Sequence, residues 1–345
     1  MTRSSTFLSG WAAVCLALAP LCGPVLAARP AAALQLVTEP GQGLSPIYNL
    51  IGSARRSIDL TMYEMMDPKV TTLLEQAAGQ GVTVRVILDQ NYKREANEPG
   101  YDDLTANGVQ VHWANPAFAC THQKTVTVDG ATSAIMTLNF TPQYYDSSRD
   151  FAVITSDPAD VAAIETAFSG DFADTMAAPP VGNDLVWSPT NAQARMLDLI
   201  HSAGATLLVE NEEMGDAGVV SALCDAAGRG VAVRIVMTDR GKYGRQFGQL
   251  QDAGAQLALY PDSADLYIHA KVVLADYGTA GARVFIGSEN FSHYSLTRNR
   301  ELGLITSDPA VMASINATLN SDFSGAQTAR SSRRHKRAVA LVPAA

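Results

Sequence analysis

Cysteine is scarce in this chain of 345 residues: there are four, and Cys15 and Cys22 fall in the apolar N-terminal segment. Cys120 and Cys224 are too few to form a disulfide scaffold, and both are read as buried free thiols. Histidine is also rare, at six. No His-Glu-x-x-His or similar ligand cluster occurs, so nothing in the sequence calls for a metal or another cofactor. After the N-terminal segment there is no second apolar run of membrane-spanning length. Positive charge is short as well, 25 Lys and Arg against 34 Asp and Glu, a formal net charge of −9. Six of the basic residues are Arg3, Arg330, Arg333, Arg334, Lys336 and Arg337, which leaves residues 29–329 at −15. Such a body disfavours nucleic acid as a partner, because non-specific binding wants a basic surface.

The first 28 residues read as a signal peptide. Arg3 precedes an apolar run from Trp11 to Leu21, and Val25-Leu26-Ala27-Ala28 offers a small-residue cleavage site. The run is short for a membrane span. The protein is therefore expected to be exported, to the periplasm or the medium. Residues 327–345 carry the basic cluster and are expected to be a solvated, disordered tail.

Between these ends the sequence is written twice, as 35–176 and 185–326, joined by the Pro- and Gly-containing linker 177–184. Each half opens on a short apolar segment ending in Pro (Leu36–Pro40, Leu185–Pro189) and continues into an amphipathic helix. Strands follow at Ser57–Met62 and Thr206–Glu210. Glu64, Met65 and Asp67 recur as Glu213, Met214 and Asp216. Gly81–Leu88 and Gly230–Met237 are matching β-branched strands. Each half closes on Thr-Ser-Asp-Pro-Ala, in which Asp157 and Asp308 stand in the N-cap pattern before a helix. Alternating strands and helices make each half an α/β unit, and a period near 150 residues marks a domain duplication. Two such halves can pack about a pseudo-twofold axis and share one site. Arg85 and Arg234, on the paired strands, are read as structural ion-pair partners.

The chemistry-bearing residues fall in the repeat. Thr121–Asp129 contains His122, Lys124 and Asp129; Ile268–Asp276 contains His269, Lys271 and Asp276. Both stretches read as strands, on which His and Lys two apart share a face. An Asn follows each, Asn139 after Thr137-Leu138 and Asn290 after Ser288-Glu289. Eleven positions further on lies a carboxylate, Asp150 or Glu301. Asp129-Gly130 is a hairpin-turn signal, and both Asp129 and Asp276 are assigned structural roles. His112, His201, His293 and His335 lack such company and are read as ordinary polar residues.

Two His-x-Lys-x-x-x-x-Asp motifs, each followed by an Asn and a carboxylate at matched spacing, resemble the phospholipase D superfamily over nearly all of the chain after the N-terminal segment. The resemblance implies two α/β/α sandwich domains with one active site at their interface. It implies a metal-independent phosphodiesterase in which His122 attacks phosphorus and forms a phosphohistidine. His269 then serves as acid and base. Lys124, Lys271, Asn139 and Asn290, with the hydroxyls of Thr137 and Ser288, are expected to hold the phosphate oxygens. Asp150 and Glu301 are expected to orient the imidazoles, and Asp150 departs from the family's usual Glu. Tyr144, Tyr145 and Tyr294 are candidates for lining a pocket. The leading expectation is hydrolysis of a glycerophospholipid at a membrane surface to phosphatidic acid and a free head group, by a monomer. The alternatives are transphosphatidylation of the cardiolipin-synthase type and an exported endonuclease.

Overall fold

The computed structural model describes residues 1–2 and 34–340. The signal segment lies outside the described residues. Those from Leu34 onward belong to one compact unit, which holds both halves of the repeat.

The first half runs β1 (Gln35–Glu39), α1 (Ser45–Gly52), β2 (Ser57–Met62), α2 (Pro68–Gly79), β3 (Thr83–Leu88), α3 (Arg94–Ala106), β4 (Gln110–Trp113), β5 (Thr125–Val128), β6 (Thr132–Met136), β7 (Ser148–Thr155) and α4 (Pro158–Phe172). The second runs β8 (Leu185–Ser188), α5 (Ala192–Ser202), β9 (Thr206–Glu210), α6 (Ala217–Gly228), β10 (Ala232–Asp239), α7 (Gly244–Asp252), β11 (Gln256–Pro261), β12 (Tyr267–Ile268), β13 (Val272–Ala275), β14 (Arg283–Gly287), α8 (His293–Thr297), β15 (Glu301–Thr306) and α9 (Pro309–Ala340). The two sheets have equivalent orders, β1-β7-β6-β5-β2-β3-β4 and β8-β15-β14-β13-β9-β10-β11. In each, three strands run parallel and the rest pair antiparallel.

Local chemistry explains the element ends. Asp67, Asp157, Asp216 and Asp308 each accept backbone N–H groups in the first turn of the helix that follows, closing donors that would otherwise be orphaned. Asp129 and Gly130 both take positive φ, as a tight hairpin between β5 and β6 requires.

Each sheet buries one face under its own helices, around Ile58, Leu60 and Leu74 in the first half and Val209, Leu223 and Ile235 in the second. The opposite faces meet in a common core. Ile135, Phe151 and Val153 pack there with Trp187, Val272, Val284 and Leu302, flanked by Ile164 of α4 and Ile315 of α9. Arg85 pairs with Asp59 at 2.5 Å, and Arg234 donates to Asn320. Cys120 and Cys224 are free.

The two halves are also stitched by polar contacts related by the repeat. Arg149 donates to Asp322 at 2.5 and 2.9 Å, while Arg300 donates to Asp171 at 2.7 and 2.6 Å. In the backbone, β12 of the second half adds to β7 of the first, and Thr121 bridges Arg300.

Two sequence expectations need correction. The helix α9 continues to Ala340, so the basic stretch that was expected to be disordered is helical that far; its Ala and Arg are strong helix formers and no Pro interrupts them. The motif strands are also shorter than predicted. β5 begins at Thr125 and β13 at Val272, so each motif His and Lys stands in an irregular segment before the strand. That backbone is engaged by the other half: the N–H groups of His122 and Gln123 both donate to the carbonyl of Arg300, and that of His269 donates to Arg149.

Candidate active site

A cleft of about 620 Å³ opens between the halves, and His122, Asn139, Asp150, His269 and Asn290 all line it. The duplicated motifs therefore converge on one place, as a shared site requires.

The carboxylates are exchanged between the halves. Glu301 Oε2 of the second half lies 2.8 Å from Nδ1 of His122, and Asp150 Oδ1 of the first lies 2.8 Å from Nδ1 of His269. The carbonyl of Ser288 is 3.2 Å from the same His122 nitrogen. Both partners of His122 Nδ1 can only accept, so the proton sits on Nδ1 and the lone pair of Nε2 is free. Burial and the nearby ammonium of Lys124 push the His122 imidazole below its ordinary value. Burial works to raise Glu301, but His122, Lys124 and Ser295 together hold this carboxyl below its usual range. Glu301 Oε1 is held by Ser295 at 2.5 Å and Asn299 at 2.8 Å. The shorter side chain of Asp150 still reaches its imidazole.

Thr137 and Ser288 do not line the cleft. Thr137 Oγ1 donates to Asp150 at 2.5 Å and accepts from the N–H of Phe151, and Ser288 Oγ accepts from the N–H of Leu302. Both are fully buried. Their hydroxyls brace the strands that carry the carboxylates, in place of the phosphate contact expected.

The lysines lie behind the histidines. Lys124 Nζ donates to the carbonyl of His122, and Lys271 Nζ to that of His269. Both side chains are fully buried. Burial pushes the Lys124 ammonium down to about 7, and Lys271 adds to the effect. Asn139 and Asn290 face the cleft, and their carboxamide oxygens accept no hydrogen bond from the described residues. Asp129 and Asp276 sit at the far ends of β5 and β13. Asp129 accepts from the N–H groups of Arg55, Arg56 and Ser57, and Asp276 from those of Gly204, Ala205 and Thr206. Tyr144 and Tyr145 line the cleft; Tyr294 is exposed and does not.

Sequence reading missed the group that breaks the symmetry. Glu212 follows β9, where the first half has Tyr63 after β2 at the constant offset of 149. Its Oε2 lies 3.2 Å from Lys271 Nζ and 3.6 Å from His269 Nε2, and its Oε1 accepts from Tyr267 at 2.8 Å. Burial favours the neutral acid, yet Lys271 and His269 hold Glu212 well below the usual carboxylate range. In the first half Tyr63 instead sets its ring edge-on to His122, with centroids 4.6 Å apart. Both ring nitrogens of His269 thus face carboxylates, whereas His122 has one.

The comparisons agree with this construction. The family model described as cardiolipin synthase, PLD-like domain matches residues 47–172 and again 196–323. Cardiolipin synthase A of Pseudomonas putida is 26% identical over 83% of this chain and 68% of its own length. Mitochondrial cardiolipin hydrolase of Chlamydomonas reinhardtii is 25% identical over 36% of this chain and 55% of its own. Among solved structures, phosphatidylserine synthase of Haemophilus influenzae shares the fold, with a TM-score of 0.63 and 11% identity over 86% of this chain and 85% of that one. The chain thus spans about two-thirds of the length of the cardiolipin synthases it matches. Two copies of one family domain, their motif residues converging on a single cleft, make this chain a member of the phospholipase D superfamily and a phosphodiesterase or transphosphatidylase by class.

Proposed function

We propose that the chain moves the phosphatidyl group of a glycerophospholipid to an alcohol, with water as a competing acceptor. The observation that carries this is the pair of crossed imidazole–carboxylate contacts opening onto one cleft. His122, with Nε2 unprotonated, attacks phosphorus and forms the phosphohistidine. His269, with carboxylates at both nitrogens, donates the proton to the departing head-group oxygen and later takes one from the acceptor. Asn139 and Asn290 offer amide donors to the non-bridging oxygens. The buried ammonium groups of Lys124 and Lys271 stabilise the added negative charge through the field of the site.

Transfer is preferred here to the hydrolysis put first on sequence grounds. The similarity to cardiolipin synthases over four-fifths of the chain supports it, although a cardiolipin hydrolase also aligns over part of the chain. Among the described residues no helix is long and apolar enough to cross a membrane. Export remains part of the proposal, on the strength of the N-terminal sequence.

The test is turnover of phospholipid vesicles in excess EDTA, with and without glycerol, beside single-stranded DNA and a His122→Ala control. Transfer product appearing with glycerol and absent from the variant supports the reading. Phosphatidic acid alone at every glycerol concentration would make the enzyme a hydrolase. DNA cleavage with lipid untouched would make it a nuclease.

A further inference from the structure

The second half carries an anion where the first carries a phenol. Glu212 bonds Lys271, approaches Nε2 of His269 and is braced by Tyr267, itself a replacement for Cys120 at the offset of 147 between the two motifs. Tyr267 is held in turn by Arg240 at 3.4 Å. The pair Tyr63 and Cys120 has thus become Glu212 and Tyr267, with both members changed together.

We propose that Glu212 is a specificity residue, an ionised carboxylate at the edge of the phosphate seat that admits the single negative charge of a phosphodiester and turns away the double charge of a phosphomonoester or of inorganic phosphate. The inference rests on the phosphodiester reading above.

The positions of the carboxylates carry the argument. Asp150 and Glu301 are each committed to the Nδ1 side of a histidine. Glu212 lies on the Nε2 side of His269, where the reacting phosphoryl group must come. An incoming phosphate has to share Lys271 with Glu212 or displace it. A diester, with one charge spread over two non-bridging oxygens, meets one repulsion. A monoester dianion meets it twice, in a partly buried site where charges a few ångströms apart are weakly screened. Among the described residues, the two cations of the rim already face carboxylates. Of the two basic residues there, Lys93 pairs with Glu64 at 3.0 Å and Arg240 lies 3.8 Å from Asp262. Phosphatidic acid, the monoester that hydrolysis yields, and free phosphate are thereby kept from occupying the seat, which favours product release.

The test compares the full chain with Glu212→Gln, which keeps the shape and the bond to Tyr267, and with Glu212→Ala. Inorganic phosphate is the probe, read as competitive inhibition of bis(p-nitrophenyl) phosphate hydrolysis and as the shift it causes in the thermal unfolding midpoint. At about pH 8 the inhibition constant for phosphate is expected to fall by roughly tenfold or more in both variants, with KM for the diester changing less. Phosphate should also raise the unfolding midpoint of the variants more than that of the wild type, because it replaces the lost partner of Lys271. At about pH 6, where phosphate is mainly a monoanion, the difference should narrow. Unchanged phosphate inhibition in both variants, or an unchanged phosphate-induced midpoint shift where turnover is lost, overturns the role given to Glu212. Absence of diester turnover in the wild type would instead overturn the phosphodiester reading, and this inference with it.

Discussion

Glu301 Oε2 and His122 Nδ1 lie 2.8 Å apart although 179 residues separate them in the chain. The contact fixes the tautomer of His122, the nucleophile of the proposed reaction, from the opposite half, and its counterpart between Asp150 and His269 does the same in the reverse direction.

Removing the charge from either carboxylate should therefore damage the other half's histidine. Glu301→Gln and Asp150→Asn are each expected to lower kcat by about 10²–10⁴-fold, the range seen when an orienting carboxylate is lost behind a catalytic imidazole. KM should change little and the fold should persist. A tenfold effect or less in steady-state kinetics would make these contacts structural only.

The pH dependence follows from two depressed groups. His122 must be neutral to attack, so the rising limb of kcat/KM should lie below the ordinary imidazole value. Lys124 loses its proton at about 7, so activity should fall above that pH. Lys124→Arg, which stays charged, should lose the falling limb at a lower overall rate. Stability has its own sign. The folded chain binds the Lys124 proton less tightly than the unfolded one, so the cost of burying the ammonium is full below about 7 and is relieved as pH rises toward ~10.4. Denaturant titrations of Lys124→Met should show a flatter rise across that window. A profile identical to the wild type's would exclude Lys124 as its source.

The roles of the two histidines can be separated by the leaving group. With a p-nitrophenyl diester, whose departure needs little acid, His269→Asn should still form the phosphohistidine but resolve it slowly. Enzyme quenched at alkaline pH should then carry phosphate at His122 by mass spectrometry. Label on His269 in the converse variant, His122→Asn, together with none on His122 in His269→Asn, would reverse the assignment.

Asp129 belongs to the family motif, yet it acts far from the cleft by tying down three N–H groups. Asp129→Ala should destabilise the fold by about 1–3 kcal/mol, the scale of hydrogen bonds to a charged group, with kcat per folded molecule unchanged. Burial tends to raise this carboxyl, but the N–H groups from Arg55 to Ser57 hold it below its ordinary value. Its contribution is present above the unfolded carboxylate value of about 3.9 and is lost as pH falls through the folded one. Calorimetry of the purified variant decides the point, and a large loss of kcat in fully folded protein would count against it.

The duplication, the α/β character of each half and the residues that meet in the cleft were legible because they are written twice at matched spacing. Their directions were not. Alternation on a strand put Lys124 beside His122 in the site, but the strand begins only at Thr125, and the lysine turns back onto the carbonyl of its own motif. The hydroxyl of Thr137, two positions before a site Asn, was read as a phosphate ligand; only its distance to Asp150 shows what it holds. The ion pairs of Arg149 with Asp322 and Arg300 with Asp171 obey the repeat, but nothing in a sequence says that a partner lies in the other half. Glu212 was invisible for the opposite reason. Its signal is a departure from repetition, Tyr63 in one half against Glu212 in the other, and a search for matches passes over it.

The short strand of Tyr267 and Ile268, laid against the first residues of β7 inside the first half's sheet, joins the halves one residue before a motif histidine. The bridge from Thr121 to Arg300 does so before the other. A jaw-like swing of one half against the other would have to break these rungs and separate both histidines from their carboxylates. The two halves are thereby held as a fixed vice around the cleft, which leaves its open rim as the expected way in and out.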